Sequence, residues 1–145
     1  MNPTLEWIDT HCHVYEDNRP GGQVGAIAAA REVGVSKMIV IGTDADTTAQ
    51  AIAIAAQHED VWATVGLHPH DAKNGIDTIT SFLGSNKVVG IGECGLDYYY
   101  DHSDRTVQRE VFAAQIQLAN THDLPLVIRT RNAWDDTFDV LDAEG

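Results

Sequence analysis

The chain has 145 residues, of which 22 are acidic and 9 are basic, so its formal net charge at pH 7 is -13. This length suits one domain, expected over residues 1–145, and the charge excludes a broad basic surface for a polyanion. The sequence shows neither a secretory signal nor an apolar run near the ~20 residues of a membrane span, and its two cysteines exclude a disulfide framework. We therefore expect a cytoplasmic protein that does not bind membranes.

Apolar, β-branched runs alternate with alanine-rich segments of helical period, which is typical of parallel βα units. The five predicted strands cover residues 5–10, 37–42, 61–66, 88–93 and 126–129. The helices that follow them are predicted over residues 23–33, 46–58, 76–84, 105–122 and 133–142. Asp104 is expected to cap the fourth helix and Gly34 to end the first, while Pro125 fits the start of the fifth strand.

The carboxyl ends of the strands, with the loops after them, carry the chemistry in parallel α/β folds. In a barrel these ends surround one mouth, so polar side chains that are distant in sequence meet there. The polar residues at these positions are His11, His13, Asp44, His68, His70, Glu93, Asp97, Arg129 and Arg131.

The end of the first strand holds two imidazoles two residues apart. Because successive side chains alternate between the faces of a strand, His11 and His13 point the same way, whereas Thr10 and Cys12 point the other way. Two neutral imidazoles that converge make a site for a borderline transition metal. The alternative is an ordinary histidine pair at a strand end. By the same alternation, Cys12 and Cys94 are expected to be buried, reduced thiols rather than ligands.

The third and fourth strand ends add an acid and further imidazoles. Glu93 closes an apolar strand between glycines that allow close approach of a backbone or ligand, and a metal shared with the first-strand histidines would neutralise it. Its alternative role is a structural acid that caps the next loop. Pro69 restricts His68 to an extended conformation that can present it to a substrate. A solvated loop histidine is the alternative for His68 and the favoured interpretation of His70, and Asp97 is expected to order its loop.

Four segments occur in a fixed order along the chain: Asp9-Thr10-His11-Cys12-His13, Gly66-Leu67-His68-Pro69-His70, Gly92-Glu93-Cys94-Gly95-Leu96-Asp97-Tyr98 and residues 125–136. Together they resemble consecutive signatures of the TatD-related deoxyribonucleases, a family within the amidohydrolase superfamily. The resemblance covers essentially the whole chain. It implies an α/β fold of the TIM-type (β/α)8 barrel, a divalent-metal site and hydrolysis of phosphodiester bonds, typically degradation of DNA in the 3′-to-5′ direction.

Taken residue by residue, the resemblance implies that His11 and His13 are metal ligands. It also implies that Glu93 holds or bridges the metals, which makes it the expected catalytic residue. His68 and Arg131 match polar positions near the substrate, where phosphate contacts are expected. The cofactor is expected to be one or two divalent ions, since nitrogen-rich ligands suit Zn or Mn whereas the family suggests Mg. DNA 3′ ends, or another phosphodiester, are the expected partner.

Arg129 departs from the family pattern, which usually has histidine at this position and commonly aspartate where this chain has Asn132. A guanidinium is always charged and has no lone pair to give a metal, so Arg129 cannot replace that ligand. Its charge would also repel a nearby divalent ion. The alternative is that Arg129 binds a substrate phosphate, a task that guanidinium geometry suits, together with Arg131.

The resemblance assigns the five predicted units to the N-terminal portion of the barrel, so we expect one incomplete barrel domain. In the family a histidine from strand six and an aspartate from strand eight complete the site, and five strands leave two parallel edges open. We therefore expect impaired activity, with self-association through the open edges or a complementing fragment. The alternatives are a catalytically silent truncated remnant and an amidohydrolase-like ester or amide hydrolase, because fold and metal site do not fix the substrate.

Overall fold

A computed structural model describes residues 5–15 and 20–145. In this part of the chain, parallel strands form a single sheet in the order β1-β2-β3-β4-β5. The strands are β1 Trp7–Cys12, β2 Val35–Val40, β3 Val61–Val65, β4 Val88–Asp97 and β5 Leu126–Arg131. The helices are α1 Gly22–Glu32, α2 Ala45–Gln57, α3 Asp77–Thr80, α4 Arg105–His122 and α5 Trp134–Glu144. Consecutive strands lie side by side and parallel, and a helix follows each of them. The arrangement is therefore a half-barrel, and the predicted fold class is confirmed.

The helices cover the outer face of the sheet with apolar side chains. Ile54 of α2 belongs to a buried cluster with Met38 and Val40 of β2, and Phe112 of α4 packs in another cluster with Leu96 of β4. Burial of side chains of this size contributes about 1.5–3 kcal/mol each. This packing fixes the position of the central strands, which are buried along most of their length.

Local sequence signals set the ends of the helices. The carboxylate of Asp44 accepts a hydrogen bond from the backbone N–H of Thr47, and the hydroxyl oxygen of Thr47 accepts one from the backbone N–H of Asp44, so α2 begins with a capping box. Asp44 is therefore a helix cap. Asp104 accepts from the backbone N–H of Thr106 at the start of α4, and Gly34 follows α1 with a positive φ of 95°. The predicted roles of Asp104 and Gly34 are confirmed.

Among these elements α4 has its predicted bounds, most others are shifted by one or two residues, and β4 and α3 differ most. β4 continues past Glu93 to Asp97, because its second half pairs with β5 from Cys94 opposite Ile128 to Asp97 opposite Arg131. For the same reason β5 extends to Arg131 instead of ending at Arg129. The third predicted helix is shorter, because residues 81–84 form turns and α3 ends at Thr80; a 3-10 helix over Pro69–Asn74 precedes it. Within the described residues, no helix combines the length and apolar character that a membrane crossing requires.

Candidate metal centre

Three side chains from β1, the turn after it and β4 converge at the carboxyl ends of the strands. The Nε2 atoms of His11 and His13 lie 3.2 Å apart. The Glu93 oxygen Oε2 lies 3.4 Å from the His11 Nε2 and 3.9 Å from the His13 Nε2. The three donor atoms all fall within 4.8 Å of one another. The structure thus brings together the three side chains that the sequence analysis selected as ligands.

These distances fit a divalent cation. Metal–nitrogen and metal–oxygen bonds of about 2.0–2.2 Å place adjacent ligand atoms roughly 3.0–3.5 Å apart in octahedral or tetrahedral geometry. The observed separations of 3.2 and 3.4 Å match this spacing, and the third, 3.9 Å between His13 and Glu93, is slightly longer. Two imidazole nitrogens and one carboxylate oxygen also suit a borderline ion such as Zn or Mn. His11, His13 and Glu93 can therefore hold such an ion with little rearrangement.

Backbone packing places Glu93, which is only 7% exposed. Its N–H donates to the carbonyl of Gly42, which follows β2, across 2.8 Å, and the preceding peptide bond from Gly92 is cis. A side chain at Gly66 would place a Cβ only 2.0 Å from the carbonyl carbon of Gly92, and one at Gly92 would lie 2.4 Å from the carbonyl oxygen of Val127. Both glycines are therefore required for the close approach that the sequence analysis expected around Glu93.

A tyrosine that the sequence analysis missed orients one of the histidines. The Tyr15 hydroxyl donates to the carbonyl of Ile41 at 2.9 Å and lies 2.8 Å from the Nδ1 of His13. Because the hydroxyl proton goes to Ile41, the Nδ1 of His13 is the donor toward Tyr15, and its Nε2 presents a lone pair to the site. The available signal was the position of Tyr15, two residues beyond His13.

The loop that carries His68 is held from beneath by a buried glutamine. Gln115 of α4 accepts a hydrogen bond from the N–H of Leu67 at 2.8 Å and donates to its carbonyl at 3.0 Å. The N–H of His68 donates to the carbonyl of Thr43 at 2.7 Å. These three bonds satisfy the buried backbone of the loop, so that His68 is fixed over the site.

His68 is a neutral hydrogen-bond donor. Burial lowers its pKa to about 4, assisted by electrostatic interactions with His70 and Arg129. Its Nδ1 accepts from the backbone N–H of His70 at 3.1 Å, so the ring proton is on Nε2. That Nε2 lies 3.9 Å from the Oε1 of Glu93. In this tautomer the cleft side of His68 offers a proton to an incoming oxygen rather than a lone pair to a metal.

Asp97 forms a second polar centre beside Glu93. Its Oδ1 accepts from the backbone N–H groups of Tyr99 and Tyr100, so it orders the following loop as expected. Its Oδ2 lies 3.0 Å from the Nε2 of His70 and 3.1 Å from the Nε of Arg129. Burial raises its pKa, but the hydrogen bonds from Arg129, His70 and the two amides outweigh this effect and hold the pKa below its usual value.

The favoured interpretation of His70 as a solvated loop residue is wrong. Its ring contacts the fully buried carboxylate of Asp97, and its side chain is only 26% exposed. The pairing joins the loop after β3 to the end of β4, a contact between distant parts of the sequence. Periodicity within one segment gives no signal for such a contact.

The two arginines of β5 have different partners. The Nη1 of Arg129 lies 3.6 Å from the Oε1 of Glu93, while its Nε binds Asp97. The guanidinium carbon of Arg131 lies 4.4 Å from the ring centre of Tyr99 and 4.8 Å from that of Tyr100. Among the described residues, Arg131 forms no ion pair within 4.0 Å. Arg129 is thus bound to carboxylates, whereas Arg131 rests on two aromatic rings.

An open cleft of about 400 Å³ lies over these groups. Its lining residues are His13, Tyr15, Thr43, Thr47, His68, His70, Asp71, Glu93 and Arg129. The thiols of Cys12 and Cys94 point away from the cleft, as expected, and donate to the carbonyls of Ile39 and Val127. The cleft therefore combines imidazoles, carboxylates and a guanidinium at the carboxyl ends of parallel strands.

A parallel half-barrel with a histidine and carboxylate cluster at this edge defines the class of barrel metal-dependent hydrolases. The model of the family described as TatD related DNase matches residues 8–145. The chain belongs to this family, as the sequence resemblance indicated.

Relatives and solved structures extend this assignment. The chain is 34% identical over 142 residues to the metal-dependent hydrolase YabD of Bacillus subtilis, covering 95% of this chain and 56% of YabD. It is 39% identical over 120 residues to the 3′-5′ ssDNA/RNA exonuclease TatD of Erwinia tasmaniensis, covering 79% of this chain and 46% of that protein. The crystal structure of the TatD homologue YjjV from Escherichia coli K12 matches with a TM-score of 0.85 at 30% identity, over 95% of this chain and 56% of that one. The chain spans about half the length of the curated relatives it matches.

Proposed function

We propose that this chain carries the metal-binding part of a hydrolase that removes nucleotides from the 3′ ends of DNA. The observation that carries the proposal is the convergence of His11, His13 and Glu93 donor atoms within 4.8 Å at the carboxyl ends of the strands. Supporting it, a relative that is 39% identical is named a 3′-5′ ssDNA/RNA exonuclease. In this proposal the three side chains bind one or two divalent ions, Mg, Mn or Zn.

Hydrogen bonds hold His13 and Glu93 in position before a substrate binds. When bound, a divalent ion supplies Lewis-acid activation of the attacking water and neutralises charge that develops on the phosphate. His13 is held by Tyr15 with its Nε2 lone pair directed at the site. Glu93, held by its backbone bond to Gly42, supplies negative charge that raises the affinity for a cation. Glu93 is therefore the residue on which hydrolysis depends most.

Three further side chains bind phosphates of the substrate strand. His68 donates its Nε2 proton to a non-bridging oxygen, because its Nδ1 is already an acceptor. Arg129 lines the cleft and keeps N–H donors beyond those that face Glu93 and Asp97. Arg131, resting on the ring of Tyr99, binds the next phosphate along the strand. The charge of -13 opposes loose contact with duplex DNA and favours a single strand end that reaches the cleft.

A nuclease assay on single-stranded DNA labelled at its 5′ end tests the proposal. With Mg or Mn, we expect a ladder of products that shorten slowly from the 3′ end, because the activity of this chain is proposed to be impaired, and EDTA stops it. The Glu93→Gln variant is expected to lose this activity, whereas Glu110→Gln, an exposed position on α4, retains it.

The same assay separates the alternatives. A folded chain that binds the ion but leaves DNA and RNA intact contradicts the proposal. If that chain hydrolyses a nitrophenyl ester in a metal-dependent and Glu93-dependent manner, the site is that of an ester hydrolase. If it hydrolyses neither substrate, the chain is catalytically silent.

We also propose that residues 1–145 form one incomplete barrel unit that associates through its open sheet edges, with a second copy or a complementing fragment. Within the described residues, β1 and β5 each pair with one neighbour only. An apolar hollow of about 270 Å³ across one face of β1 to β4 supports the incomplete-barrel part of this proposal, and it is lined by Ile8, Lys37, Ile39, Trp62 and Val89. Light scattering over a concentration series is expected to show a mass that rises with concentration, and a constant monomer mass contradicts association.

A further inference from the structure

We infer that Arg129 stands in place of a second cation, so that the centre binds a single divalent ion on the imidazole side of Glu93. The inference rests on the proposed function, because it takes His11, His13 and Glu93 to be the ligands of that ion. It decides between the one and two ions that the family resemblance leaves open for this chain.

The two oxygens of Glu93 face different groups. Oε2 faces the Nε2 atoms of His11 and His13 at 3.4 and 3.9 Å. Oε1 faces the Nη1 of Arg129 at 3.6 Å and the Nε2 of His68 at 3.9 Å. A carboxylate with both oxygens available can bridge two cations. Here one oxygen is directed at metal-ligand nitrogens and the other at a permanent positive charge.

Strand register places the guanidinium between two acids. Glu93 and Asp97 are four residues apart on β4, so their side chains share one face of the strand, with Gly95 midway between them. Arg129 of β5 is the register partner of Gly95. Because Gly95 has no side chain, the space between the two carboxylates is open to Arg129, which reaches Asp97 at 3.1 Å and Glu93 at 3.6 Å.

The positive charge of Arg129 already compensates the carboxylates that a second ion would bind. Asp97 is fully buried, and a buried carboxylate requires a compensating positive group. Arg129 provides that charge for Asp97 and part of it for Glu93, as a metal bound between the two carboxylates would. A second divalent ion at this place would meet a like charge and would have to displace Arg129 from both acids.

Counting bound ions tests the inference without relying on activity. The full chain is titrated with Mn²⁺, and the bound metal is measured by calorimetry and by electron paramagnetic resonance. We expect one ion for the natural sequence, with the spectrum of an isolated Mn²⁺. The Arg129→His variant, which exchanges the guanidinium for a ligand, is expected to bind two ions and to show a spin-coupled pair. Arg131→His, on the same strand and the same face, is the matched control and is expected to bind one.

Each outcome has a defined meaning. Two coupled ions in the natural sequence overturn the inference and leave the proposed function intact, whereas no bound ion in the folded chain overturns the proposed function itself. A folded Arg129→His variant that still binds one ion also overturns the inference. If that variant does not fold, Arg129→Gln removes the charge while keeping a hydrogen-bond donor for Asp97. We then expect roughly tenfold tighter binding of the first ion, and unchanged affinity contradicts the inference.

Discussion

The centre and the edge of the sheet contribute to the metal site in different ways. Glu93 comes from the buried strand β4 and is 7% exposed, with its N–H bonded to Gly42. His11 comes from the edge strand β1, whose residues are mostly exposed, and its own side chain is 41% exposed. Packing of the barrel therefore fixes the acid, whereas the histidines are oriented by local hydrogen bonds such as that between His13 and Tyr15.

The ligands of one site are therefore held in position in two different ways. Because the backbone around Glu93 is closely packed, we expect substitutions there to lower the free energy of unfolding. His11 and His13 are packed less closely, so we expect substitutions there to lower mainly the affinity for the cation. If the distinction is correct, substitutions at the centre and at the edge have separable effects on unfolding and on metal binding.

The largest effect is expected at the centre, for Gly66→Ala. The new methyl would lie 2.0 Å from the carbonyl carbon of Gly92 and 2.2 Å from its oxygen, which are backbone atoms that cannot rotate away. Overpacking typically costs about 1–3 kcal/mol, and a backbone clash belongs at or above the upper end. Urea unfolding without metal is therefore expected to show a loss of roughly 3 kcal/mol or insoluble protein.

Gly75→Ala is the control for that experiment. Unlike Gly66, Gly75 has a positive φ, but a Cβ added there meets nothing within 4 Å. The expected cost is only the conformational strain of about 1 kcal/mol. If the two variants lose equal free energy of unfolding, close packing around Glu93 does not add to the cost of the substitution.

The second effect is expected at the edge, for His13→Ala. Removal of one of three ligands is expected to weaken Mn²⁺ or Zn²⁺ binding about a hundredfold, or ~2.7 kcal/mol. The free energy of unfolding without metal is expected to change by only about 1 kcal/mol, because the half-buried His13 loses its hydrogen bond to Tyr15 and little packing. Calorimetric titration and urea unfolding measure the two quantities, with the exposed His122→Ala as control. A large loss of metal-free stability would contradict the distinction between centre and edge.

Sequence periodicity was sufficient for the parts of the site that depend on one segment. The alternation of a strand places His11 and His13 on one face, and the apolar run before Glu93 predicts its buried strand. The caps at Asp104 and Gly34 are also local, since each involves residues within one turn of its helix. Such features follow from backbone geometry that neighbouring residues determine.

Contacts between distant segments could not be predicted in this way. The place of Arg129 between two carboxylates depends on the register of β5 against β4, which pairs it with Gly95. The predicted end of β4 at Glu93 concealed this pairing, because the strand continues to Asp97. The bond between His70 and Asp97 likewise joins the loop after β3 to the end of β4, which only the folded barrel brings together. In each case the tertiary arrangement, rather than local propensity, determines the partner.

The smallest effect is expected for Tyr15→Phe, which leaves every ligand in place. The variant removes the hydroxyl that lies 2.8 Å from the Nδ1 of His13 and so releases the imidazole from its fixed tautomer and orientation. Loss of such a supporting bond typically weakens metal binding about 10–100-fold, and we expect the lower end because His13 stays half-buried. Calorimetric titration measures the change, with Tyr99→Phe as a control for loss of a tyrosine hydroxyl.

A double-mutant cycle shows whether Tyr15 acts through His13. In the His13→Ala background the hydroxyl of Tyr15 has no imidazole to orient, so Tyr15→Phe is expected to weaken binding of the cation no further. Its bond to the carbonyl of Ile41 affects stability in both backgrounds and therefore cancels from the coupling in metal affinity. An equal decrease in affinity in both backgrounds would show that Tyr15 supports the site by another route, and that the edge of the sheet, like its centre, is fixed by packing.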